Sequence, residues 1–176
     1  MYKPYKFPMY TVLACSIAMA LQAQAEPPTS APKQPGENPD ATFVQKAGEG
    51  GMAEVELSKL AEKSASSPAV RRFAAKMVQD HGANNKELLT IAAHENIAPP
   101  KDLDDEHAAL RDRLAAMKGA DFDRAYLDAM RDDHQKMDEL LKSSQATVST
   151  EELRTFIKRT TPVVEAHLRM AQSLKE

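Results

Sequence analysis

Two well-separated stretches, Met77-Val78-Gln79-Asp80-His81 and Met130-Arg131-Asp132-Asp133-His134, repeat one order of residues, each with an aromatic one turn earlier, Phe73 and Tyr126. On a helix this spacing stacks the aromatic, the Met and the His along one side and sets the Asp next to the His. The fold must therefore carry, twice, an imidazole and a carboxylate on the edge of an apolar ridge.

The surrounding segments have the 4-and-3 spacing of amphipathic helices. A first helix, capped by Asp40 and running to about Ser64, turns Phe43, Ala47, Gly50, Glu54, Leu57 and Ala61 inward, so Glu54 falls on an apolar stripe. Gly48, Gly50 and Gly51 each cost about 1 kcal/mol relative to Ala inside a helix, so this stretch is either weak or packed very closely by another part of the chain. Ser67-Pro68 opens a second helix, to about Asn96, with Val70, Ala74, Met77, His81, Asn84, Leu88 and Ile91 inward. So short a connection forces an antiparallel hairpin.

After Pro99-Pro100, the residues Leu103, His107, Leu110, Leu114 and Met117 mark a short crossover helix ended by Gly119. Asp121 is expected to cap the next helix, to about Ser144, with Phe122, Tyr126, Ala129, Asp133, Met137 and Leu140 inward and His134 beside them. Ser149 or Thr150 with Glu152 opens the last helix, whose stripe is Leu153, Phe156, Thr160, Val163, His167, Met170 and Leu174. Pro162 should kink it.

The hairpins are related to one another. Val70-Arg71-Arg72-Phe73 matches Leu153-Arg154-Thr155-Phe156, and Ala41-Thr42-Phe43 matches Ala120-Asp121-Phe122. Roughly three turns beyond each of three of these phenylalanines stand Glu54, Asp133 and His167; the second helix instead has Asn84 there and His81 one turn earlier. The expected architecture is all-α, a four-helix bundle of two antiparallel hairpins with a short helical crossover. In it Glu54, His81, Asp133, His134 and His167 meet in one central layer.

The ends of the chain bear on location. Lys3 and Lys6, an apolar run from Met9 to Leu21, and Ala23-Gln24-Ala25 read as a signal peptide over residues 1–25 cleaved after Ala25, so a periplasmic or secreted protein is expected. Val12-Leu13-Ala14-Cys15 is the rival, a lipidation site. Residues 26–40 hold five prolines and no large aliphatic side chain and are expected to be a disordered tail ahead of a bundle over 41–176. Cys15 is the only cysteine and would leave with the signal, excluding disulfides and thiolate ligands from the mature chain. The mature chain would have 21 basic and 26 acidic residues, a net charge of −5, with one tyrosine and four phenylalanines. Nucleic acid is then no partner, and no mature segment is apolar enough to span a membrane.

A buried carboxylate without a partner costs several kcal/mol, so Glu54 and Asp133 need cations, donors or a metal. Three imidazoles with two carboxylates suit zinc, iron, manganese or copper. Met77, Met130 and Met170 each lie about one turn from a His, a spacing that would favour copper, although methionine more commonly fills irregular cores. The competing account is a metal-free network in which each His donates to a carboxylate or carbonyl. His94 is expected near the solvated end of its helix, His107 packed beneath the bundle, and Tyr126 bonded to a carboxylate. No Ser, Thr or Cys nucleophile stands in a credible catalytic arrangement.

Taken together, Phe43 with Gly50-Gly51-Met52-Ala53-Glu54-Val55, Phe73 through His81, His107, Phe122 through His134, and Thr161-Pro162 with His167 resemble the bacterial domain-of-unknown-function family numbered 4142 over about residues 41–174. The resemblance implies a secreted, ferritin-like helical bundle of a kind often labelled a membrane or outer-membrane protein, and implies no reaction. The ferritin di-iron pattern needs Glu-x-x-His on two helices, and no such pair occurs here. Metal handling or stress protection is thus expected rather than enzymatic turnover. The alternative is an envelope interaction or stress module, bound to an envelope protein or a second copy of itself.

Overall fold

Proline is tolerated in the first helical turn because its missing N–H is not needed there, and Pro39 and Pro68 each open a helix. In the computed structural model, which describes residues 38–174, the helices are α1 (Pro39–Ser64), α2 (Pro68–His94), α3 (Asp105–Ala115), α4 (Gly119–Ser144) and α5 (Glu151–Ser173). Among these residues there is no strand, and isolated bridge positions include a pairing of Ala65 with Gly119. The signal-like segment, Cys15 and residues 26–37 lie outside the described residues. Pro39 and Asp40, placed above in the tail, already belong to α1.

The helix starts correct three sequence expectations. Asn38, not Asp40, caps α1, accepting from the Asp40 backbone N–H at 2.9 Å. Lys118, not Asp121, precedes α4, and Gly119 begins that helix instead of ending α3. The Gly119 φ of +66° is one that residues with a Cβ rarely adopt. Ser67 precedes α2 without a side-chain cap bond, whereas Thr150 caps α5 as expected, accepting from the Leu153 N–H at 3.4 Å.

Asp40 serves a distant element: it accepts from the Ser149 N–H at 2.6 Å and the Ser149 hydroxyl at 2.5 Å, just ahead of α5. Asp123, in the first turns of α4, does the same ahead of α2, taking the Ser66 N–H at 2.9 Å, its hydroxyl at 2.5 Å and the Ser67 N–H at 2.7 Å. Arg71 and Arg154 close the same turns, donating to the carbonyls of Ala65 and Ser66 and of Val148 and Ser149. The internal repeat places Arg71 and Arg154 at matching positions, and two acids from different repeat positions, Asp40 three before Phe43 and Asp123 one after Phe122, complete similar locks at opposite ends of the bundle.

α1 pairs with α2 and α4 with α5 as hairpins, α1 also packs on α4 and α2 on α5, and α3 crosses over α1 and α4. α5 continues through Pro162. The glycines of α1 mark close approach, not a weak helix: a Cβ on Gly48 would come 2.6 Å from the Pro100 ring, and one on Gly51 would collide with Asn85.

Two apolar clusters fill the interior. One holds Phe43, Val44, Leu88, Ile91, Leu141, Phe156 and Val164; the other holds Leu57, Val70, Phe73, Met77, Phe122, Tyr126, Met130 and Ala171. On each bundle helix the residues between these clusters are the polar ones in question, so the central layer sits in a dry, low-dielectric slab. On α5 the most deeply buried apolar positions are the predicted Leu153 together with Ile157, Val164 and Ala171, Val164 standing one step round from the predicted Val163.

Candidate metal centre

Mid-helix residues of antiparallel helices share one level whichever way each helix runs, and this brings Glu54 of α1, His81 of α2, His134 of α4 and His167 of α5 together. All four are buried, His134 and Glu54 completely. The imidazole rings form a compact triangle, with centroids 5.2 Å apart for His81 and His134, 5.0 Å for His81 and His167, and 5.6 Å for His134 and His167. One nitrogen from each lies within 4.8 Å of the others.

The remaining nitrogens identify which atoms face inward. His81 Nδ1 lies 2.7 Å from one Glu54 oxygen, and His81 Nε2 lies 3.0 Å from His167 Nδ1. His167 Nε2 lies 2.8 Å from Asp80 Oδ2, which also takes Lys76 Nζ at 2.8 Å. His134 Nδ1 lies 2.8 Å from the Met130 carbonyl and 3.2 Å from the other Glu54 oxygen. His134 Nε2 is buried and has no hydrogen-bond partner. Neither Glu54 oxygen has a well-aligned hydrogen bond, and the carboxylate acts on the two rings chiefly through its charge.

Charge follows from these contacts. Burial alone would raise the Glu54 carboxyl, but the fields of His81 and His134 overcome it and hold the pKa at about 2. Burial disfavours the His81 cation, yet the Glu54 carboxylate outweighs it and raises that pKa. Burial prevails for His134, whose pKa falls. It prevails again for His167, which drops to about 4 with the His81 charge adding to the effect. One consistent proton arrangement results. Cationic His81 donates to His167 Nδ1, neutral His167 donates through Nε2 to Asp80, and neutral His134 donates through Nδ1 to Met130.

Asp133 stands apart from the imidazole triangle. Its Oδ1 lies 3.6 Å from His107 Nε2, and the other side of that ring meets Asp104 at 2.7 Å. Asp133 raises the His107 pKa to about 9 against partial burial, with Asp104 helping. Asp133 Oδ2 is buried without a partner. Tyr126 bonds Ser58 at 2.7 Å, not a carboxylate as expected. Met77 and Met130 are fully buried in the second apolar cluster. His94 is exposed at the end of α2, 3.4 Å from Glu152.

Sequence reasoning missed Asp80 as the partner of His167. Its signal was its place in the repeated Asp-His pair, but the target lay on another helix. The Met130 carbonyl had no signal, since any residue supplies one.

Three nitrogen donors backed by oxygen acceptors form the usual outer shell of a metal-binding histidine, where the second ring nitrogen is held by a carboxylate or carbonyl. No described helix is long and apolar enough to cross a membrane.

No curated protein matches the chain. Among solved structures, a secreted DUF305 protein from Streptomyces coelicolor is similar at 15% identity, with a TM-score of 0.67 over 77% of this chain and 89% of that one. A DUF305 fragment from Deinococcus radiodurans is similar at 14% identity, with a TM-score of 0.69 over 79% of this chain and 96% of that one. At such identities the likeness bears on the helical-bundle fold alone. The model of the domain of unknown function DUF4142 matches residues 25–174, and the chain, with its ferritin-like bundle and buried histidine layer, belongs to that family.

Proposed function

We propose that the protein binds one transition-metal ion through His81, His134 and His167, and that it serves metal handling or metal-linked stress protection in the cell envelope. The observation that carries this reading is the inward convergence of three imidazoles within 4.8 Å, one of them with a buried, unpartnered Nε2. Metal-bound nitrogens at about 2.0–2.1 Å from the ion need only small ring movements from this spacing. An all-nitrogen set suits zinc, copper or iron better than manganese, calcium or magnesium. In this reading Glu54 and Asp80 hold the His81 and His167 rings and balance the charge of the ion, rather than ligating it. Export rests on the signal-like residues 1–25.

The reading is tested on the mature chain purified from its own envelope and analysed for metal. One ion class at close to one per chain is expected, adding about 2.7 kcal/mol of stability when the free ion stands at a hundred times its Kd. His134→Ala should release the ion and remove that gain. The chain from His81 through His167 to Asp80 favours a second reading, a structural hydrogen-bond network in an envelope interaction module. Melting curves unchanged by chelator and by added metal would decide for it.

A further inference from the structure

The histidine trio is sealed from solvent, with exposures of 3% for His81, 0% for His134 and 1% for His167, so a metal ion must be handed inward by a group at the edge of the layer. Three polar positions border the layer. Asp80 is spent, since its Oδ2 is shared by His167 and the Lys76 ammonium. Beside Asn84 and Thr160 there is room for only about 20 Å³, walled by Ala47, Leu88 and Phe156. Asp133 differs from both. It is adjacent in sequence to His134 and 8% exposed, and its Oδ2, buried without a partner like Asn84 Nδ2 and Thr160 Oγ1, is the one carboxylate oxygen among these atoms. It lines a cleft of about 740 Å³ between α1, the crossover and α4, in which Glu49, Asp104, Glu106 and Glu139 stand against Lys46 and Lys136.

We propose that Asp133 is a transfer site for a divalent cation, receiving the ion from this acidic cleft and passing it to His134. This rests on the metal-binding reading and extends it to how the buried site fills. The cleft gathers cations by its carboxylate rim, which steers charged ligands in a salt-dependent way. Asp133 Oδ2 offers the ion an oxygen ligand in place of water.

The test is stopped-flow loading of chelator-stripped full-length mature protein with Zn²⁺, and separately with Cu²⁺, free ion being read by a fluorescent chelator. Asp133→Asn should slow loading on the order of tenfold, the scale of electrostatic steering, with the equilibrium Kd changed by less than about threefold. Asp121→Asn, whose carboxylate pairs with Arg124 on the surface away from the cleft, should load at the wild-type rate. Wild-type loading should slow as salt is raised. If Asp133→Asn does not fold, the double variant Glu106→Gln with Glu139→Gln at the cleft rim tests the same route. Wild-type loading rates in whichever of these variants folds would overturn the transfer site while leaving the trio intact. A wild-type protein that takes up neither ion would instead overturn the metal centre itself.

Discussion

The two Asp-His pairs follow the same local plan and end in different places. In both, the His turns to the centre and meets Glu54, at 2.7 Å from His81 and 3.2 Å from His134. In both, the Asp, one step round the helix, reaches a histidine on a neighbouring element: Asp80 meets His167 at 2.8 Å, and Asp133 meets His107 at 3.6 Å. The outcomes diverge because α2 lies against α5, a bundle helix, while the Asp133 side of α4 lies against α3, the crossover. His167 therefore joins the buried triangle, and His107 stays at the edge. A repeated motif sets which residue points in and which points sideways; the neighbouring helix decides what the sideways residue does.

The largest effect should come from removing the acid that both pairs share. Glu54→Ala leaves the buried His81 cation uncompensated and should lower unfolding stability by about 3–5 kcal/mol in denaturant titrations. Asp133→Ala removes a buried oxygen that has no partner along with a longer contact, and should cost about 1 kcal/mol or less. Equal losses would erase the distinction between the two copies.

A pH profile sharpens the comparison between the histidines. The depressed pKa of His167, about 4 against an ordinary 6.5, means the folded protein refuses a proton that the unfolded chain accepts, so stability rises with pH across that window. His134 acts in the same direction. The raised His81 pKa works the other way: its contribution is complete below 6.5 and is lost as pH rises through the folded value. Glu54, held at about 2 against 4.5, stabilises above 4.5 and fails only toward the lower value. His107, raised to about 9, loses its contribution on the alkaline side together with His81, so metal-free protein should melt highest near about pH 6.5 and decline on both sides. A profile flat from about pH 4 to 8 would contradict the assigned charges.

The smallest effect lies outside the layer, where the two halves do match. Asp40→Ala and Asp123→Ala each remove a carboxylate that takes backbone and hydroxyl donors ahead of a partner helix, and each should cost about 1–2 kcal/mol. Similar losses in thermal melts would confirm that the two locks are equivalent in strength although the two sides of the central layer are not; a loss confined to one variant would show that the locks too have diverged.

Much of this was legible in the chain. The 4-and-3 spacing of Phe43, Glu54 and Leu57 or of Met77, His81 and Leu88 is a local property, because side chains three and four apart share a face of any helix. Short connections then force antiparallel hairpins, and mid-helix positions meet at one level whatever the crossing angles. For that reason Glu54, His81, His134 and His167 could be grouped from their spacing alone. Cap assignments fared worse at Asp40 and Asp121, since an acidic residue near a helix start serves equally well for its own helix or a neighbour's.

The residues by themselves determined an all-helical bundle with an imidazole-rich middle, because periodicity and turn chemistry act over a few residues. Only the tertiary structure decided that Asp80 reaches His167 while Asp133 turns to the crossover, that Glu54 faces the Nδ1 side of two rings, and that one His134 nitrogen is left buried and unbonded. Those outcomes depend on rotations about helix axes and on which helices become neighbours, quantities set by packing the whole core at once and encoded at no single position.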